Sequence, residues 1–449
     1  MSDPGPLTFA IVKAAVGGHA SALRCVTEYQ PAGGPGDKVF PPTYEGGKYA
    51  VETRVIGGQP VPCVILNSVQ AEANRMELAL RDEWEAGRLR LPVVKVDFEV
   101  GIRGVSKVIT VTSLDASHRI ADAIFRDSRI EQDGHPLMFR KSKRGAILDT
   151  TDIRNATGLF GLCPTALLFG LWDSAGPRGG LGAKFQRAIV SEVVGWGAQP
   201  GVATGGKVDH LTILKSAGEL YQRAKAVDDA PEWTLDGQAA RKKDGEPKKT
   251  GKKGEGNPSD VNLGGVTPDL AYARNNKGAI LTDQVADQDG RTRDVRRIKG
   301  GFTIERAVQT TVLSLAALRR LRFPLDGKDP SAQADIHVAG RTALAALGLC
   351  ATALAREEGA DLRSRCHLVP SGSFTWELLN EPGSKPEEYP RYRLSAEGAA
   401  ALFQEAVSDA KQRGLPWEET ITLKPSPDLL QLVQKSHEVV AEGEEEEEA

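Results

Sequence analysis

Cysteine is scarce in this chain: five residues in 449, at Cys25, Cys63, Cys163, Cys350 and Cys366, far apart and odd in number. No Cys-x-x-Cys pair occurs, which argues against a disulfide framework and against a structural zinc site. Buried thiols in a reducing cytoplasm are expected. Histidine is equally thin, seven scattered residues, so a multi-histidine metal centre has little support and no cofactor is implied. A long apolar run is also missing. The longest nearly uncharged stretch, Thr342 to Ala355, falls short of the ~20 residues that a membrane span needs. Met1-Ser2-Asp3-Pro4 offers neither the basic start nor the apolar core of a secretion signal. A soluble, cytoplasmic chain without a membrane partner is expected.

Enzyme signatures are lacking as well. Gly201-x-x-x-x-Gly206-Lys207 approaches a phosphate-binding loop, but Val208 stands where a hydroxyl must reach magnesium. Gly180-Leu181-Gly182 has Phe185 where a dinucleotide site needs a third glycine. No Gly-x-Ser-x-Gly elbow and no His-Glu-x-x-His pair occurs. No catalytic constellation is expected.

What is present begins with ordinary globular composition, 40% hydrophobic and 26% charged, enough to bury a core. Forty-eight glycines and 26 prolines call for many loops. The net charge of −3 hides two opposite blocks. Arg241 to Lys253 holds seven basic residues against Asp244 and Glu246, whereas Glu442 and Glu444 to Glu448 make an acidic tail. Without those six glutamates the remainder is +3, so a basic binding surface is compatible with the near-neutral total.

Along the chain, Val61 to Leu66 reads as a buried strand. Asn67 or Ser68 then caps a helix ending near Gly87, with Val69, Ala73, Met76, Leu80 and Trp84 on its apolar side. Val93 to Val111 suits a hairpin, and Asp115 or Ser117 a second cap before Arg119, Asp122 and Arg126. Thr165 to Leu171 suits a central strand, and Ala183 to Val194 fits helix or strand. The spacing predicts helices over Thr303–Arg322, about Asp335–Arg356, near Ala396–Arg413 and Asp428–Val440, with a strand around His367–Pro370. Strands and helices alternate without a Gly-rich βαβ unit, which favours α+β. The division expected is a core over 1–235 and 258–425, a disordered basic insertion over 236–257, and a C-terminal helix with acidic tail over 426–449. The insertion has almost nothing apolar to offset its ordering entropy.

Three segments gather basic and amide side chains beside glycines or helix starts. Ser68, Gln70, Asn74 and Arg75 stand at a helix N-terminus, where free N–H groups favour phosphate. His118 and Arg119, with Arg126 two turns on, could hold a phosphate or stack on a base. Arg178, Gly180, Lys184, Gln186 and Arg187 surround a glycine-rich turn that lets backbone approach a phosphate, and Phe185 offers a ring. The plain alternatives are a capped surface helix, a structural histidine and a flexible turn.

The order of these strings resembles a known family. Asn67-Ser68-Val69-Gln70-Ala71-Glu72-Ala73-Asn74-Arg75, Asp115-Ala116-Ser117-His118-Arg119, Phe125-Arg126-Asp127-Ser128 and Gly179 to Arg187 with Ser191-Glu192 are similar to the backbone subunit of type I-G (formerly I-U) CRISPR effector complexes. That subunit is the Cas-seven type of the RAMP superfamily. Leu162-Cys163-Pro164-Thr165-Ala166-Leu167, Ala271 to Asn276 and Ser373-Phe374-Thr375 add to the likeness, which spans roughly Val61 to Pro390. The resemblance implies a modified RRM-like, ferredoxin-type palm with long helical and loop insertions forming fingers and thumb. It also implies a non-enzymatic subunit whose copies stack head to tail along a guide CRISPR RNA. The RNA would pair with a target DNA strand, and other effector-complex subunits would join. The rival readings are a RAMP-type endoribonuclease, with His118 as acid–base candidate or Asp115, Asp122 or Asp173 holding a metal, and a nucleotide-binding regulator.

Overall fold

The computed structural model describes residues 4–98, 109–174, 182–203, 218–225, 227, 229–243, 245–250, 272–273, 279–286, 292–380, 385 and 388–443. The chain divides into two compact units, one of residues 1–100, 107–201 and 301–429, the other of 101–106, 202–300 and 430–449.

The first unit is built on a large mixed sheet. Its strands are β1 (Ala22–Pro31), β2 (Val51–Ile56), β3 (Gln59–Asn67), β8 (Ile189–Trp196), β9 (Arg306–Ser314), β10 (His367–Pro370), β11 (Thr375–Leu379) and β12 (Arg391–Arg393). The spatial order is β12-β11-β1-β9-β8-β3-β2, with β10 also paired to β1. Helix α2 (Val69–Glu85) leads toward β8, and α3 (Pro330–Glu357) leads from β9 toward β11. The succession β1-α2-β8-β9-α3-β11 is therefore β-α-β-β-α-β. Its four strands stand fourth, first, third, second across the sheet, all antiparallel. The hairpin β2–β3 is an addition at the β8 edge. With both helices and strands in quantity and mixed sheets, the fold class is α+β.

The two faces of the sheet differ because strand side chains alternate. Leu23, Cys25, Thr27 and Tyr29 of β1 are buried, as are Ile189, Ser191 and Val193 of β8 and Ala307, Gln309, Thr311 and Leu313 of β9. α2 and α3 cover that side, and α1 (Phe9–Gly17) and α4 (Ala396–Gln412) pack on α3. α3 has the length and apolarity of a membrane span, but 89% of its most apolar window is buried inside the chain. It is the central helix of the core. On the other side the charges pair with one another: Arg24 and Arg391 with Glu377, Arg54 with Glu192, Arg306 with Glu28.

A second sheet has β4 (Val94–Phe98), β5 (Ile109–Thr112), β6 (Ser128–Gln132), β7 (His135–Met138) and β13 (Ile421–Pro425), in order β7-β6-β13-β4-β5. The expected Val93–Val111 hairpin is the pair β4–β5, although residues 99–108, with Gly101 and Gly104, lie outside the described residues. All five cysteines are buried and unpaired. Burial pushes Cys350 up to about 12 and Cys366 up to about 11.

Two expectations are corrected. Thr303–Arg322 is mainly the strand β9, and only Leu315–Leu318 is helical, its first turn capped by Ser314 Oγ accepting from Ala317 N at 3.1 Å. Val308, Thr310, Thr311 and Val312 are β-branched, and pairing on both edges outweighed the helical spacing. Conversely, Thr165–Leu171 is not a strand. Pro164–Phe169 is a buried helical turn started by proline, and Gly170, at φ +94°, ends it. A short apolar run suits either state when everything around it is buried.

The second unit carries small antiparallel pairs: Tyr221–Gln222 with Trp233–Thr234, Lys242–Lys243 with Glu246–Pro247, and Thr282–Ala286 with Thr292–Arg296. Of the stretch expected to be disordered, 236–239 form a turn, and 240–243 and 245–249 run as a hairpin tied to the strand at Tyr221. Gln222 N donates to Lys248 O at 3.0 Å and Arg241 N to Gln222 O at 2.7 Å. Asp244 and 251–257 lie outside the described residues, as do the glutamates of 444–448 and Ala271 and 274–276.

Candidate nucleic-acid interface

Two of the strings that carry the resemblance, Asn67 to Arg75 and the one with Ser191, meet beneath the sheet. Glu72 of α2 is buried and accepts from Asn67 Nδ2 (2.5 Å), Arg75 Nη1 (2.9 Å), Ser191 Oγ (3.1 Å) and Gln309 Nε2 (2.6 Å). Tyr29 Oη donates to Gln309 Oε1 at 2.9 Å, and burial pushes its phenol up to about 12. A carboxylate taken out of water needs such a set of donors. The network ties α2 to β1, β3, β8 and β9, so Asn67, Glu72 and Ser191 are structural.

Arg75 belongs to the same framework. Its Nη2 donates to Ala355 O (3.1 Å) and Gly359 O (2.6 Å), the free carbonyls at the end of α3, where a cation is favoured. Ser68 is the cap of α2, its Oγ accepting from Ala71 N at 3.3 Å. Gln70 and Asn74 are exposed on the first turns.

The second segment forms no long helix. A 3-10 turn covers Arg119–Ala121, and Ala123–Arg126 follows with Asp122 as its cap. His118 is exposed, and its backbone N–H rather than its ring engages Asp122 (3.3 Å). Arg126 forks onto its neighbour Asp127. Arg119 is not on the surface at all. It is 8% exposed, holds φ +50°, and donates to Glu77 Oε1 (2.7 Å), Glu77 Oε2 (2.6 Å) and Gly170 O (3.0 Å). Its strained backbone is held in place by this fork and by the Phe169 ring, 5.6 Å away. In this conformation Arg119 supports the site from below.

What it supports is a short hairpin. Leu171–Trp172 pairs with Lys184–Phe185, and Asp173 N donates to Ala183 O at 2.9 Å. Buried Asp173 takes Arg140 Nη1 at 2.9 Å, which anchors the first strand. Arg187 Nε donates to Phe169 O at 3.2 Å, and Gln186 Oε1 accepts from exposed Arg320 at 3.1 Å. Burial and the nearby Arg119 lower the pKa of Arg187. Arg178 and Gly180 lie outside the described residues. Phe185 points inward, 5% exposed, so the ring on offer is Trp172, 57% exposed, with Lys184 Nζ 5.3 Å from its centroid. Lys184, Gln186, Arg187, Arg320 and Trp172 thus combine cations, an amide and an open ring. That set suits a strand of phosphates with stackable bases.

Sequence reasoning missed Trp172 and Arg320. Trp172 followed a run read as a strand, and Arg320 stood on the far side of a supposed helix. Gly182 has a physical reason, since a Cβ there would lie 2.0 Å from Asp173 O. Gly182→Ala should therefore open the hairpin, and if the hairpin holds RNA the substitution should weaken that binding several-fold, with little change in melting temperature. Unchanged binding would show that the hairpin geometry is irrelevant.

No curated protein matches the chain. Residues 23–200, less than half of the chain but reaching from β1 through this hairpin, match the family model described as CRISPR-associated protein GSU0053, and so indicate a CRISPR-associated protein family.

Proposed function

We propose that the chain is a non-catalytic backbone subunit of a type I-G, RAMP-type effector. It holds the sugar–phosphate strand of a guide CRISPR RNA so that the bases stay free to pair with a target DNA strand. The observation that carries this reading is the Trp172–Lys184 hairpin, within the span that matches the CRISPR-associated family. Around it stand Gln186, Arg187 and Arg320, a set that grips backbone rather than cutting it. The β-α-β-β-α-β order supports the RRM-like reading. The open sheet face does not compete for the role, because its charges are engaged with one another.

Copies that each cover a fixed number of nucleotides on a directional strand must meet head to tail. Such contacts generate an open filament whose length the RNA sets. Native mass spectrometry on guides of increasing length should show protomer number rising in whole steps. One protein per RNA at every length, under tight-binding conditions, would rule out the backbone role.

A further inference from the structure

The hairpin Lys242–Lys243/Glu246–Pro247 of the second unit carries more positive than negative charge among its described residues. Its register sets Lys242 opposite Pro247 and Lys243 opposite Glu246. One step further back, Lys248 N donates to Arg241 O at 2.7 Å, so Arg241 and Lys248 stand side by side across the ladder. Like charges directly opposite are destabilising. Of the neighbouring cations, Lys249 is engaged with Glu219 at 2.7 Å and Arg223 with the carbonyls of Pro231 and Trp233. Lys242, Lys243 and Lys248 have no ion pair among the described residues, although Lys243 stands opposite Glu246 in the register. Because strand residues alternate, Lys242 projects from one face of this two-stranded arm, and Lys243 and Lys248 from the other.

We propose that this arm is a second nucleic-acid site and that it takes a duplex. Cations on both faces of a narrow ribbon cannot all meet one single strand. A two-stranded ribbon does fit a groove about 12 Å wide, where its two faces meet the phosphate backbones on either side. The contacts are to phosphates, so binding is independent of base sequence and strongly salt-dependent. The site shares no residue with the hairpin at Trp172 and goes beyond the guide-RNA reading.

The test uses the full chain with Lys242→Ser, Lys243→Ser and Lys248→Ser combined, binding a random-sequence DNA duplex and a single-stranded RNA across a salt series. The log–log salt slope for the duplex should fall by about 2.7, since three phosphate contacts are lost at about 0.9 each, and the slope for RNA should hold. The Lys→Arg triple variant should keep the wild-type duplex slope. An unchanged duplex slope, an equal fall for duplex and single strand, or a fall in the Lys→Arg variant each overturns the proposal. Duplex binding that depends on these lysines, in a chain that holds no guide RNA, would sustain it while the guide-RNA reading fell.

Discussion

Arg119→Met is expected to destabilise the chain by about 3–5 kcal/mol at pH 8, because it leaves the Glu77 carboxylate buried without its partner. The loss should shrink as the pH falls. Burial already pushes Glu77 up to about 7 from an ordinary value of 4.5, against the opposing pull of Arg119. An acid whose folded pKa is raised adds stability that is fully present below its unfolded value and is lost as the pH rises through the folded one. In wild type that window runs from about 4.5 to about 7. Without Arg119 the folded value climbs further, so the variant goes on losing stability above neutrality. At pH 5 the carboxyl is protonated in both folded proteins and the difference narrows. Chemical denaturation at pH 5 and pH 8 reads this directly, and Arg119→Met with Glu77→Met should recover much of the loss at pH 8. Equal losses at both pH values would mean that the pair is not what Arg119 supports.

Lys184→Ala with Arg187→Ala should weaken RNA binding on the order of tenfold or more and do so across unrelated sequences. Two phosphate contacts are removed, so the log–log salt slope for single strands should fall by about 1.4. Lys184 is exposed above the Trp172 ring, and its loss costs little folding energy. Arg187 has one bond to Phe169 O, so a small stability loss is expected from that half. Melting temperature separates the two effects. Unchanged affinity and slope in a folded double variant would remove this hairpin from the RNA site. Trp172→Ala should weaken binding without changing the slope, since stacking releases no counterions.

Local patterns in the sequence determined a good deal. A cap at Asn67 or Ser68, of which the structure uses Ser68, the amphipathic course of α2, the strands β3 and β10, the helices α3 and α4, and the burial of every cysteine all follow from periodicity, capping chemistry and composition. The α+β class did too. Only the tertiary structure decided β9, whose helical spacing was real but whose β-branched residues found partners on both edges. Only it decided which cations are available. Lys184 and Arg119 are both cations in strings that carry the resemblance, yet one lies over an open ring and the other forks onto a buried glutamate. The hairpin of 240–249 makes the same point. Its composition gave no apolar reason to fold, and its order comes from backbone bonds to the strand at Tyr221, far enough away in sequence that no local pattern records them. Charge and capping are properties of neighbours along the chain, whereas burial and pairing belong to neighbours in space.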